Sequence, residues 1–230
     1  MIVPFVAFAT EPAWWAQRGV KSGGQVNNKG PINQGQLKAM AKAAMQEMDA
    51  KLPFGSSLQI QEMVAGFVAA NTPNLNPANK LPANIGQLKA VAKPFYDWLL
   101  AMGYNTKQNL INHGAIGWNN DYPWSTVAPL DGSNYAPVSI GQLKWVFSFD
   151  FTDFTPNSTD LDSDGLPDWW ERVILYHALY HSNATIDNIS DIMPSADYDG
   201  DDISNGDEYA FGSNPTSPKL TLFLKLETSY

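Results

Sequence analysis

Apolar residues recur at three- and four-residue intervals along much of the chain. Leu37, Met40, Ala41, Ala44 and Met48 form one such stripe, and Leu88, Val91, Ala92, Phe95 and Leu99 repeat it at an offset of 51 residues. This period places the apolar positions on one face of a helix, so both stretches predict amphipathic helices that pack one side inward. "LQIQEMVAGFVAA" (58–70) and "DWWERVILYHALYHS" (168–182) read the same way. The pattern changes in two places. "FSFDFTDF" (147–154) alternates phenylalanine with smaller polar residues, and "KLTLFLKLETSY" (219–230) alternates similarly, which predicts strands. Residues 112–137 are rich in turn formers and aromatics and predict a loop.

The helical stripes start in the same way. "PINQGQLK" (31–38), "PANIGQLK" (82–89) and "PVSIGQLK" (137–144) share the frame P-x-[N/S]-x-G-Q-L-K, with Gly35, Gly86 and Gly141 51 and 55 residues apart. Asn33, Asn84 and Ser139 are good N-caps, and Gln36, Gln87 and Gln142 follow three positions later, the spacing of a capping box. Ile32 with Leu37, Ala83 with Leu88 and Val138 with Leu143 then stand at the positions of a hydrophobic staple, weak where the residue is alanine. Capping does not require the glycine, which costs a first turn about 0.5–1 kcal/mol relative to alanine; three occurrences imply that another backbone comes close there. Lys38, Lys89 and Lys144 sit near the positive end of a helix dipole and call for an acidic or carbonyl partner. Pro94 is expected to kink or end the second helix.

Composition adds a division that periodicity does not reveal. An apolar fraction of 44% with 12% aromatics belongs to a folded protein. Residues 1–150 hold 11 Lys and Arg against 8 Asp and Glu, whereas residues 151–230 hold 3 against 15. An acidic second part disfavours nucleic acid and anionic membrane and favours cations. With no cysteine there is neither a disulfide framework nor a thiolate metal site. No apolar run reaches the ~20 residues of a membrane span. The opening "MIVPFVAFA" (1–9) ends in Ala-Phe-Ala, like the tail of a signal peptide, but lacks a basic start; it reads either as a signal-peptide remnant or as a buried strand.

The acids are spaced with a pattern. In "DLDSDGLPDWWE", Asp160, Asp162, Asp164, Asp168 and Glu171 occupy positions 1, 3, 5, 9 and 12, with Gly165 at 6. "DYDGDDISNGDE" repeats this with Asp197, Asp199, Asp201, Asn205 and Glu208, although Asp202 replaces the glycine at position 6 and makes the turn harder. This is the spacing of an EF-hand calcium loop, closed by a bidentate glutamate. Carboxylates a few ångström apart repel by about 1 kcal/mol per pair in water and about 4 at an effective dielectric of 20, so two such loops in one chain argue for a counter-ion.

These loops, with the "GSNP" turn at 212–215, resemble bacterial thrombospondin type 3-like calcium repeats over about residues 158–218, and dockerins share the loop logic. The G-Q-L-K helices resemble those of secreted bacterial proteins that carry such repeats. The resemblance implies export, since millimolar extracellular calcium matches weak sites. The fold expected is mainly α: repeated capped helices (10–150), a small calcium-loop unit with EF-hand-like loops (151–218) and a C-terminal β-strand (219–230).

An enzyme is not expected. There is no G-x-S-x-G, no phosphate-cradling glycine loop and no histidine beside a convincing acid–base partner, and the paired carboxylates are spaced for calcium. His177 and His181, at i and i+4, lack the H-E-x-x-H frame of a zinc site and read as surface or packing residues. The function expected is a secreted or cell-surface calcium-binding structural or adhesive module. The alternative is a recognition module with a protein partner or a glycan, the latter stacking on Trp118, Tyr122 and Trp124.

Overall fold

The computed structural model describes residues 28–69, 76–104, 132–149, 156, 158–181 and 186–218. Among them the chain is mainly helical: α1 (Gln34–Lys51), α2 (Leu58–Ala69), α3 (Ile85–Ala101), α4 (Ile140–Val146), α5 (Asp168–His181) and α6 (Asn205–Phe211). None of these helices is long and apolar enough to cross a membrane. Residues 1–9 and the strand expected at 219–230 lie outside the described residues. The chain falls into two units, one of Met1–Pro94 with Asn109–Thr152, the other of Phe95–Gln108 with Asp153–Tyr230.

In the first unit all three capping boxes form. Asn33, Asn84 and Ser139 accept from the amides of Gln36, Gln87 and Gln142 at 2.8, 2.8 and 3.2 Å, and the glutamine side chains accept from the cap amides at 2.9, 3.0 and 2.9 Å. Two orphan donors per helix are thereby satisfied. Leu37, Met40, Ala41, Ala44 and Met48 are buried along α1, as the stripe predicts, and Glu47 joins them, paired to Lys51 at 2.8 Å.

The three helix starts are joined in a ring. Ile32 N donates to Val138 O (2.9 Å), Val138 N to Ala83 O (2.9 Å) and Ala83 N to Ile32 O (3.0 Å). Outside this triangle Gln34 N donates to Leu81 O (3.0 Å), Ile85 N to Ala136 O (3.0 Å) and Ile140 N to Gly30 O (2.9 Å). In each copy the residue before the glycine donates to the residue five before the next copy's glycine. The contact is head-to-tail and closes after three copies, which gives a pseudo-threefold arrangement within one chain. Short antiparallel bridges Pro31–Ser139, Asn33–Pro82 and Asn84–Pro137 mark its edges. Ile32, Ala83 and Val138 are buried, so the expected staple residues also supply the backbone of the ring.

The glycines and lysines of the frame meet the neighbouring copy. A Cβ on Gly35 would lie 3.3 Å from Asn79 O, one on Gly86 3.5 Å from Asn134 O, and one on Gly141 3.2 Å from Asn28 O. Lys38 Nζ donates to Asn79 Oδ1 and Lys89 Nζ to Asn134 Oδ1, both at 3.0 Å. The partner is thus an asparagine side-chain carbonyl, and the repeat extends to N-x-x-P-x-[N/S]-x-G-Q-L-K, beginning at Asn28, Asn79 and Asn134.

Of the two outcomes expected at Pro94, a kink or an end, the end does not occur: α3 runs on to Ala101. Proline removes one ladder bond, but Phe95, Tyr96, Trp98 and Leu99 beyond it are buried, and that burial outweighs the lost bond. Residues 147–149 are not a strand: α4 stops at Val146, and Phe147 caps it at φ −100°, ψ 30°. The rings of Phe147 and Phe149 are both buried, with centroids 5.9 Å apart, so these two phenylalanines serve packing, while the rest of the expected strand, 150–154, lies outside the described residues.

In the second unit, the end of α3 brings Trp98 to Tyr176 of α5, ring centroids 5.4 Å apart. Trp170 of α5 meets Tyr209 of α6 edge-on at 6.0 Å.

Candidate metal centres

Each acidic loop is shaped by its own aspartates. Asp160 Oδ1 and Oδ2 accept from Ser163 N (2.7 Å) and Gly165 N (3.0 Å), and Asp164 Oδ1 accepts from Leu166 N (2.8 Å). In the second loop Asp197 accepts from Gly200 N (2.8 Å) and Asp202 N (2.9 Å), and Asp201 from Ile203 N (3.0 Å). The same bonds occur at the same positions, so the loops share one fold. They bring Asp160, Asp162 and Asp164 together, and likewise Asp197, Asp199 and Asp201, with one carboxylate oxygen from each within 4.8 Å of the others. Two aspartate triplets that can hold a metal ion are therefore present.

Both loops turn through left-handed backbone at two places. The first has Ser163 (φ 62°) at position 4 and Gly165 (φ 101°) at 6; the second has Gly200 (φ 80°) at 4 and Asp202 (φ 71°) at 6. At these two places each loop thus has one glycine and one non-glycine residue, and Asp202 does not make the second turn harder than the first. Left-handed backbone costs a non-glycine residue roughly 1 kcal/mol. Ser163→Gly is expected to raise the melting temperature and Gly200→Ser to lower it by a corresponding amount, both read in thermal melts with calcium. A silent Gly200→Ser would show that this position carries no strain.

The position-9 residues brace the loops. Asp168 Oδ1 accepts from Leu161 N (2.8 Å) while its Oδ2 pairs with Arg172 (3.1 Å). Asn205 Oδ1 accepts from Tyr198 N (3.2 Å) and its amide donates to Met193 O (2.9 Å). The position-12 glutamates differ sharply. Glu171 is 0% exposed and Glu208 1% exposed, yet Glu171 Oε1 and Oε2 and Glu208 Oε2 are buried with no hydrogen-bond partner. Burial pushes the Glu171 carboxyl up to about 8, helped by the charges of Asp162, Asp164, Asp168 and Asp160. Burial and then the charge of Asp199 push Glu208 up to about 7. Asp199 is raised as well, by burial and by Asp201. Buried carboxylates without a donor in the field of other carboxylates are costly, and a divalent cation bound among them would relieve the cost.

His177 Nδ1 lies 3.0 Å from the Tyr198 hydroxyl, its ring edge-on to the tyrosine, which makes it a packing residue between α5 and the second loop. Trp118, Tyr122 and Trp124 lie outside the described residues. Sequence reasoning missed Ser213, whose hydroxyl lies 3.2 Å from Glu208 Oε1; the "GSNP" turn was its only signal. Compared with known proteins, the chain matches no family model, no curated protein and no solved structure.

Proposed function

We propose that the chain is a secreted or cell-surface, non-catalytic module that binds two calcium ions and uses them to hold its acidic unit in a structural or adhesive role. The observation that carries this reading is the pair of buried glutamates, Glu171 and Glu208, with unpartnered oxygens beside the aspartate triplets. A plain acidic surface would leave its carboxylates in water. The donors are hard oxygens with neither sulfur nor imidazole among them, which suits calcium, with its 6–8 oxygen ligands, better than zinc. Magnesium needs a tighter octahedral shell and keeps its waters, so it fits a many-carboxylate loop poorly. In each loop one oxygen from each of three aspartates lies within 4.8 Å of the others, a spacing that suits ion binding better than acid–base chemistry across a scissile bond.

Calorimetric titration of the purified chain tests this. Two calcium ions per chain are expected, with affinities in the range of extracellular modules, about 10⁻⁴–10⁻³ M, and much weaker magnesium uptake. No heat and no uptake in equilibrium dialysis would remove the reading.

A further inference from the structure

Glu171 and Glu208 occupy the same place in their loops but are held differently. α6 ends at Phe211, and Gly212 caps it in the left-handed region at φ 72°. That reversal brings Ser213 N to Glu208 O at 2.9 Å and sets Ser213 Oγ 3.2 Å from Glu208 Oε1 and 3.4 Å from Glu208 O. The hydroxyl has one proton to give, and the carboxylate is the nearer and more strongly accepting partner. Ser213 is itself 2% exposed. The turn beyond it is fixed by Asn214 Oδ1, which accepts from Thr216 N (3.1 Å) and Thr216 Oγ1 (2.9 Å). In the first loop the residue five after the glutamate is Tyr176, inside α5, with its ring against Trp98 and Tyr180. Both oxygens of Glu171 are without a donor.

We propose that Ser213 is a positioning residue of the second cation site: its hydroxyl clamps Glu208 by one oxygen so that the other, Oε2, is delivered to Asp197, Asp199 and Asp201, making the second loop the pre-organised one of the two. This rests on the cation reading above. A glutamate already held in its binding rotamer loses less freedom when the ion arrives, so the clamp acts on affinity rather than on the fold.

The test is calcium titration of the full chain in two backgrounds, Asp162→Ala to isolate the second site and Asp199→Ala to isolate the first. Ser213→Ala is expected to weaken the second site about fivefold to tenfold, the cost of immobilising one side chain on binding, and to leave the first unchanged. Ser213→Thr, which keeps the hydroxyl, restores the affinity to within about twofold. Gly212→Ala, which strains the same turn without removing the hydroxyl, lowers the melting temperature in chelator but not the affinity of the folded protein. Wild-type affinity in Ser213→Ala, equal losses at both sites, or no rescue by threonine would each overturn the assignment. Absence of calcium uptake by the wild-type chain would instead remove the cation reading on which it stands.

Discussion

Removing calcium from the purified protein is expected to lower the melting temperature of the second unit by on the order of 20 °C. An ion bound only by the folded form stabilises it by RT ln(1 + [L]/Kd), about 2.7 kcal/mol per site at a hundredfold excess over Kd. Two sites give about 5 kcal/mol, and 1 kcal/mol shifts the melting of a domain of this size by about 4–8 °C. The shift is reinforced by the unit's own charge, since residues 151–230 hold 15 acids against 3 bases. Glu171→Met sharpens the test, because its effect changes sign with conditions. In chelator the variant should melt above the wild type, because it removes two buried oxygens that have no partner, a gain of about 1–3 kcal/mol. In calcium it should melt below the wild type, because the first loop has lost its closing ligand. Thermal melts in both conditions decide the matter. If the two curves coincide with the wild type's throughout, Glu171 is not a ligand. The ring of Ile32, Ala83 and Val138 belongs to the other unit, and its transition is expected to stay in place.

What the sequence made legible was what depends on neighbours in the chain. The three capping boxes involve residues three apart, so Asn33 with Gln36 could be read directly, and so could the buried stripe of α1. The aspartate triplets were legible for the same reason: Asp160, Asp162 and Asp164 stand two apart in the chain, as do Asp197, Asp199 and Asp201. What escaped involves residues brought together by closure of the fold. Asn79 faces Gly35 and Lys38 across the ring, and although Asn28, Asn79 and Asn134 each stand three residues before the repeat's proline, only the head-to-tail contact gives that spacing a meaning. The left-handed turn at Ser163 had no glycine to announce it. Pro94 marked a break by local rules, yet tertiary burial of Phe95 to Leu99 carried the helix past it. Ser213 lay in a turn whose composition signalled a helix stop, and nothing in that composition pointed to Glu208.

The largest effect expected in the first unit comes from Gly141→Leu, which should destabilise it by at least 2 kcal/mol. The ring closes there: Gly141 N donates to Asn28 O at 2.9 Å, and a Cβ would lie 3.2 Å from that same oxygen. The obstacle is backbone, so it cannot swing aside as a flexible side chain would, and moving it breaks one of the three backbone bonds described between the third copy and the first. Forced overpacking of this kind costs typically 1–3 kcal/mol, to which the lost hydrogen bond adds about 1. Gly86 provides the internal control. Its Cβ would stand 3.4 Å from Asn134 Cβ and 3.5 Å from Asn134 O, ordinary van der Waals separations, so Gly86→Ala should be neutral or stabilise slightly through better helix propensity. Gly141→Ala should fall between the two variants, because its neighbour must yield by a few tenths of an ångström. The lysines offer a second comparison: Lys89→Ala removes one half-buried bond to Asn134 Oδ1 and should cost about 1 kcal/mol. Urea unfolding of the four variants, followed by circular dichroism, ranks them. If Gly141→Leu unfolds with the wild type, or if Gly86→Ala costs as much as Gly141→Ala, the repeated glycine does not answer to the backbone of the neighbouring copy, and the ring is held by its hydrogen bonds and buried side chains alone.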